Sequence, residues 1–268
     1  MADVIGSNTS IKPKDMMEYR QWFGFNIQPG FDYEKYQEYY KIVAKSLHDQ
    51  FVESPFWQNL TGELRDIDAK YKAEKEDYLF SNTDAPKVDI KKFDSFFNKS
   101  FRKNIIKNSS FPNPPRTGWV RDDNWFHVIT DIVRTSFVVR YLDGVRFLTD
   151  EIGRIAKECG VFFSYEYVAR DEGYYASHIR ITRKEKLIKE NWNTIDIDFS
   201  VEIQITTELQ ETIKGLLHKY YDQKRIQPVD KSYVWQWNYE DDQFKSNYLG
   251  HIAHYLEGMI VEIRDKQK

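Results

Sequence analysis

Apolar residues occupy every odd position from Ile195 to Ile205, and Asp196, Asp198, Ser200, Glu202, Gln204 and Thr206 occupy the even ones. Such alternation belongs to a strand with one face in a core and the other open. It puts the Glu202 carboxylate on a rigid element facing outward, where it could take a proton or hold a cation. An ordinary solvated strand residue would read the same way. A second chemical stretch is KKFDSFFNKSFRKNIIKN, Lys91 to Asn108. Phe93, Phe96, Phe97 and Phe101 can bury one face of a helix while Lys91, Lys92, Lys99, Arg102 and Lys103 project elsewhere. A run of charge is usually a solvated face, but closely spaced Lys and Arg also neutralise polyphosphate. The third feature is Asp131, a lone acid near the start of the β-branched stretch Val128 to Leu142.

Positioning these groups requires elements around them. Residues 1–30 are polar, with Pro13, Pro29 and Gly30, and read as an arm. Tyr36, Ile42 or Val43, Leu47 and Phe51 share a helical face, and Leu60, Leu64, Ile67 and Tyr71 share another, so two helices are expected before a loop at 81–89. Val128 to Leu142 reads as a buried strand. Val145, Leu148, Ile152, Ile155 and Cys159 mark a helix closed by Gly160, which makes Cys159 a small core residue. Residues 161–170 and 174–182 are two strands of a hairpin turned by Asp171, Glu172 and Gly173. Lys184 to Asn193 reads as a charged loop. After the Glu202 strand, Thr207 and Gln210 stand at capping-box spacing before a helix. Tyr233, Trp235, Trp237 and Tyr239 read as an aromatic lid over the core. Leu249, Ile252, Leu256, Met259 or Ile260, and Ile263 mark a long amphipathic helix.

Composition narrows the classes. The chain has 268 residues, 41% hydrophobic and 16% aromatic, enough for a sizeable core. A net charge of −3 gives no overall case for a nucleic-acid coat protein. The single cysteine excludes an intramolecular disulfide and a cysteine-rich zinc site. No apolar run reaches the length of a membrane span, and no signal-peptide core is present, so a cytoplasmic protein with no membrane partner is expected. The expected organisation is an arm over 1–30 and one domain over 31–268. That domain divides into helices over 31–80, a core over 88–222, and an aromatic segment and helix over 223–268.

Taken in order, several pieces resemble the synthetase domain of the RelA/SpoT family. GYYASH (Gly173 to His178) is similar to its Gly-Tyr-x-Ser-x-His segment, and EIQITT (Glu202 to Thr207) to its Glu-Ile-Gln-Ile-Arg-Thr. TDIVRTSFVV resembles its aspartate-bearing strand. Lys91, Ser95, Lys99 and Arg102 resemble its ATP-binding loop and helix, and His218 falls where the family also places a histidine. The departures are Asp89 for an arginine, Arg134 and Ser136 for Gly and Arg, Tyr175 and Ala176 in GYYASH, and Thr206 for the arginine of EIQIRT. With WQW (Trp235 to Trp237) and YLGHIAHYLEGMI, they make the chain more similar to the toxic small alarmone synthetases of toxin–antitoxin and phage-defence modules.

The resemblance implies an α/β (α+β) fold, a nucleotidyltransferase-like mixed sheet of about five strands flanked by helices. It implies an ATP-dependent pyrophosphotransferase. Such a reaction spreads negative charge over phosphate oxygens and is catalysed by positioning and neutralisation, which calls for Mg²⁺ held by one or two carboxylates and the phosphates. Asp131 is the expected metal ligand, and Glu202 the base for the attacking hydroxyl or a second ligand. Lys91, Ser95, Lys99 and Arg102 would hold ATP. Tyr174 would stack on the acceptor, His178 would orient it, and Gln204 would join them in binding it. The acceptor expected first is the 3′ end of tRNA, which would make the protein a translation-inhibiting toxin with a separate antitoxin. The alternative is an alarmone synthetase acting on guanine or adenine nucleotides. A catalytically dead nucleotide-binding module is a third reading, against which the presence of both Asp131 and Glu202 speaks.

Overall fold

Aromatic side chains decide the first layer of this structure, a computed structural model that describes residues 11–189, 191–224 and 234–267. The elements in order are α1 (Met16–Asn26), α2 (Tyr33–Val52), α3 (Pro55–Gly62), α4 (Leu64–Lys75), β1 (Val88–Ile90) and α5 (Phe93–Phe101). A π-helical turn (Arg102–Ile106) continues α5, and α6 (Trp125–Val128) precedes β2 (Val133–Val139). Then come α7 (Leu142–Glu158), β3 (Phe162–Ala169), β4 (Tyr175–Ile188), β5 (Thr194–Thr207), α8 (Glu208–Lys224), a 3₁₀ turn (Trp235–Trp237) and α9 (Asp242–Lys266). Among the described residues the strands form one mixed sheet of five in the order β1-β2-β5-β4-β3, which meets the expected fold class. β3 and β4 pair antiparallel, with Glu166 opposite His178 and Tyr167 opposite Ser177.

The chain clusters into two compact units. The first contains Met1–Phe51, Asp89–Arg134 and Arg183–Val201. Its core is aromatic: Tyr19 and Phe23 of α1, Tyr36 and Tyr40 of α2, Phe93, Phe96, Phe97 and Phe101 of α5, and Trp125 are all buried. The Phe31 and Phe97 rings stack at 5.7 Å, and Tyr40 stacks on Phe96 at 4.5 Å. Residues 16–26, expected within a polar arm, are therefore helical. Asp15 caps them by accepting from the Met17 and Glu18 amides, and the aromatic face of α1, with Tyr19, Trp22 and Phe23 buried, supplies the burial. Asn104, fully buried in the π-turn, donates to the Val120 carbonyl at 3.2 Å and accepts from its amide at 2.9 Å. Those bonds pin the far end of the proline-rich loop.

The second unit contains Val52–Val88, Thr135–Thr182 and Glu202–Lys268. α7 buries Val145, Leu148, Ile152 and Ile155, at the spacing read from the sequence. Where α9 crosses the hairpin tip, Gly250 lies against Gly173; a Cβ on Gly250 would come within 2.3 Å of the Gly173 carbonyl oxygen. Gly173 has φ +76°, so this turn needs glycine for its backbone as well as for the close approach. At its other end α9 is tied down by Arg264, which donates to Asp143 at 2.6 Å and to the Tyr71 hydroxyl at 3.1 Å.

Leu60 lies in α3 while Leu64, Ile67 and Tyr71 lie in α4, so the second expected helix is two, and further expectations differ from what is seen. Residues 125–128 are helical, so β2 starts at Val133 and Asp131 sits in the turn leading into it. Residues 184–188 continue β4 because Glu185 is buried beside Arg183, at 3.4 Å. Trp237 and Tyr239 are exposed and so form no lid, while Trp235 packs on Tyr248 at 5.3 Å; Tyr233 lies outside the described residues. No helix among the described residues is long and apolar enough to cross a membrane.

Candidate functional site

The chemistry-bearing residues fall into two clusters, one in each unit. In the first unit, the amide of Lys91 donates to the Ile132 carbonyl at 2.7 Å, and the Lys91 carbonyl accepts from the Tyr40 hydroxyl at 2.6 Å. Lys91 thus precedes α5 instead of lying on its face. Its interval of four to Ser95 is not a helical register, yet the loop delivers its ammonium to Asp131. The Lys91 Nζ lies 3.0 Å from one Asp131 oxygen and the Lys99 Nζ 2.8 Å from the other. Asp131 and Lys91 are each only 8% exposed, so the pairing is scarcely screened by water. Burial opposes charge on Asp131, but the ammonium groups of Lys99 and Lys91 outweigh it and hold the carboxyl below its ordinary range. Burial also pulls Lys91 below the usual lysine value, with Asp131 resisting, and the charges of Arg134 and Lys99 adding to the pull.

Arg134, which the sequence left without a role, is exposed on β2 and close enough for its charge to be felt at Lys91 and Tyr40. It adds a further positive charge to the neighbourhood of Lys91. Ser95 is exposed on α5, and Arg102 opens the π-turn, half-buried. Two ammonium groups held on one carboxylate are donors to closely spaced anionic oxygens. Phosphate oxygens satisfy the same donors.

In the second unit, Tyr174, His178, Glu202 and Gln204 stand in a row. The Tyr174 hydroxyl and His178 Nε2 are 2.8 Å apart. His178 Nδ1 stands 3.8 Å from Glu202 Oε1, and the Gln204 amide donates to that same oxygen at 2.5 Å. The Arg170 guanidinium sits 5.5 Å from the centre of the Tyr174 ring. Alternation in β5 places these groups as expected: Val201, Ile203 and Ile205 are buried while Glu202 and Gln204 are partly open. The row can accept a proton at Glu202 and hold that carboxylate in one orientation. His218 lies outside the described side chains.

Sequence reasoning missed the support behind this row. The Tyr175 ring stacks on His254 at 3.6 Å and 2°. Its hydroxyl is 2.8 Å from His251 Nδ1, while His251 Nε2 is 3.0 Å from the Asp171 carbonyl. A carbonyl only accepts, so Nε2 carries the proton and Nδ1 of the neutral ring accepts from the phenol. The available signals were the histidines three apart in GHIAHY and the glycine before them.

Further along this face of α9, Glu257 is buried with neither carboxyl oxygen hydrogen-bonded. Burial raises its pKa, and the nearby Thr207 hydroxyl offsets this in part. A raised carboxyl contributes stability that is present below the unfolded value, about 4.3, and is lost as pH rises through the folded value. Glu257→Gln is therefore expected to melt higher than wild type at pH 8, by roughly 2–4 °C per kcal/mol recovered. The gap should close below about pH 4. Melting curves across that range check it; a gap that widened on acidification would contradict it.

Structures of similar architecture are small alarmone synthetases. Small alarmone synthetase 1 from Bacillus subtilis superposes with a TM-score of 0.51 at 13% identity, over 87% of this chain and 96% of that one. The structure of that enzyme bound to its product pppGpp gives 0.51 at 15% identity, over 81% and 96%. The protein smu.1046c from Streptococcus mutans UA159 gives 0.51 at 14%, over 88% and 96%. No protein-family model and no curated protein matches the sequence. The fold is thus that of the small alarmone synthetases.

Proposed function

We propose that this chain is an ATP-dependent pyrophosphokinase that moves the β,γ-diphosphate of ATP onto the ribose 3′-hydroxyl of a purine nucleotide, making an alarmone. The observation that carries this reading is the Asp131 carboxylate held between Lys91 and Lys99, with Arg134 beside them. In the reaction, the acceptor 3′-oxygen bonds to the β-phosphorus, the bond from that phosphorus to the α,β-bridging oxygen breaks, and AMP leaves. The hydroxyl proton passes to Glu202, which Gln204 and His178 orient. Lys91 and Lys99 exchange the Asp131 oxygens for phosphate oxygens, Arg134 adds a third positive charge, and Ser95 and Arg102 extend the grip. Tyr174 offers its ring to the acceptor base; such stacking contributes about 1–3 kcal/mol.

The donor set fits Mg²⁺. Asp131 is held anionic, and no group of three or more metal-ligating side chains converges among the described residues. Magnesium takes one or two carboxylates and completes its shell with phosphate and water. Asp131 would hold it, and when bound it would neutralise charge developing on the phosphates.

The acceptor order inferred from sequence is reversed here. Structural neighbours that are alarmone synthetases, one with pppGpp bound, favour a nucleotide over tRNA. Transfer to the tRNA 3′ end is the second reading, resting on the departures at Arg134, Tyr175 and Thr206, and the toxin role and separate antitoxin rest on it in turn. The test uses ATP labelled at its γ-phosphate, with Mg²⁺ and, separately, GDP, GTP, AMP or deacylated tRNA. Label on a mononucleotide is the expected result. Label on tRNA alone would install the second reading, and label on none would end the pyrophosphokinase reading.

A further inference from the structure

One imidazole spans the tip of the β3–β4 hairpin. Asp171 stands before the turn glycine Gly173, and Tyr175 opens β4 just after it. His251 of α9 reaches both. Its Nε2–H donates to the Asp171 carbonyl at 3.0 Å, and its Nδ1 accepts from the Tyr175 hydroxyl at 2.8 Å. His254, three residues further along α9, stacks flat on the Tyr175 ring. The helix is itself fixed here, since Gly250 lies against Gly173 and its carbonyl accepts from the Gln210 side-chain amide at 3.2 Å. A hairpin tip is ordinarily among the first parts of a fold to open. This one is fastened on both sides of its glycine.

What the fastening controls is Tyr174. That residue lies between the turn and β4, and its carbonyl accepts from the Arg170 amide across the turn at 3.1 Å, so its backbone follows the tip. Successive side chains of an extended segment leave opposite faces. A Tyr175 ring held against α9 therefore sends the Tyr174 ring to the other face. There the Tyr174 hydroxyl lies 2.8 Å from His178 Nε2, beside Glu202 and Gln204. We infer that His251 is a positioning residue for the acceptor: by joining Asp171 to Tyr175 it holds the Tyr174 ring in the orientation that stacks on the acceptor base. This rests on the reaction proposed above. The residues proposed to grip ATP belong to the other unit, so cutting the bridge should act on the acceptor alone.

Two variants cut it differently. Tyr175→Phe keeps the ring that stacks on His254 and loses only the hydroxyl, whereas His251→Ala removes the whole bridge. Both residues are partly exposed, so the fold should persist in each. Transfer from labelled ATP is measured with GDP, GTP and AMP in turn. For a nucleotide that accepts label, the acceptor KM should rise roughly 5- to 50-fold, within the weight of one stacked base. The KM for ATP should not change. In a Tyr174→Ala background, Tyr175→Phe should cost little more, because effects that pass through one residue do not add. Equal losses with and without Tyr174 would overturn the inference, as would an ATP KM that rises in step. Orientation is also read without turnover, from the fluorine NMR signal of Tyr174 in fluorotyrosine-labelled protein, assigned by its loss in Tyr174→Phe. In both variants it should move toward the position of free fluorotyrosine as the ring averages over orientations; an unmoved signal would overturn the inference. If no nucleotide accepts label in wild type, the reaction reading falls, and the fluorine signal still decides whether His251 orients Tyr174.

Discussion

Asp131→Asn is expected to lower pyrophosphate transfer by at least about 10²- to 10³-fold, the size of effect seen when one preorganised electrostatic group is removed from a transition state. Asparagine keeps the volume and loses the charge. Both ammonium groups then face a neutral amide, and Lys91, buried at 8% exposure, has lost its counter-ion. Removing one member of a buried pair costs roughly 3–5 kcal/mol; Lys91 can shed its proton because burial already lowers its pKa, which places the cost at the lower end. A melting point lower by on the order of 10 °C follows for a chain of this size. The pH dependence carries a definite sign. A carboxyl whose folded pKa is depressed stabilises above its unfolded value, about 3.9, and loses that contribution as pH falls through the folded value. The stability gap between wild type and variant should therefore be full at neutral pH and shrink below about pH 4. Calorimetry against pH, beside labelled-ATP transfer, measures both. A folded variant that keeps a tenth of the wild-type rate would remove Asp131 from the chemistry.

Glu202→Gln should separate the two clusters. The substituted amide keeps the size of the side chain but cannot accept the hydroxyl proton, so transfer should fall by roughly 10²- to 10⁴-fold, the usual weight of a positioned general base. The residue is only partly buried and stands at 3.8 Å from His178, so folding should change little. ATP binding, measured by titration with a non-hydrolysable analogue, should stay within a factor of a few, because Lys91, Lys99 and Asp131 belong to the other unit. Loss of ATP binding along with activity would make Glu202 a donor-side ligand instead of a base. Unchanged transfer would dismiss it from the mechanism.

What the sequence disclosed was periodic. The alternation through β5 told which face Glu202 would take, since every second side chain must leave a buried face. The α5 phenylalanines and the α7 stripe are buried as their spacing requires. What stayed hidden depended on partners far along the chain. Lys91 reaches Asp131 because a loop is held by Tyr40 and Ile132, and no local pattern encodes that. The α1 helix is short, and its burial comes from aromatic residues much later in the chain, as in the contacts of Tyr19 with Phe97 and Phe101. The α9 stripe was visible as a pattern, but periodicity gives only the width of an apolar face, and Leu249, Ile252, Leu256 and Ile263 are half-exposed. Tyr175, His251 and His254 lacked any periodic signal, because they meet between a hairpin and a helix.

The first unit is stitched from Met1–Phe51, Asp89–Arg134 and Arg183–Val201, and this bears on how the protein is made. A ribosome delivers residues in order, and domains generally fold as units. Lys91, Lys99 and Asp131 emerge well before the third segment that completes their unit, and the second unit waits for α9. Closing such distant segments is slow compared with forming local helices. A growing chain therefore passes most of its synthesis before the segments of the first unit can close on one another.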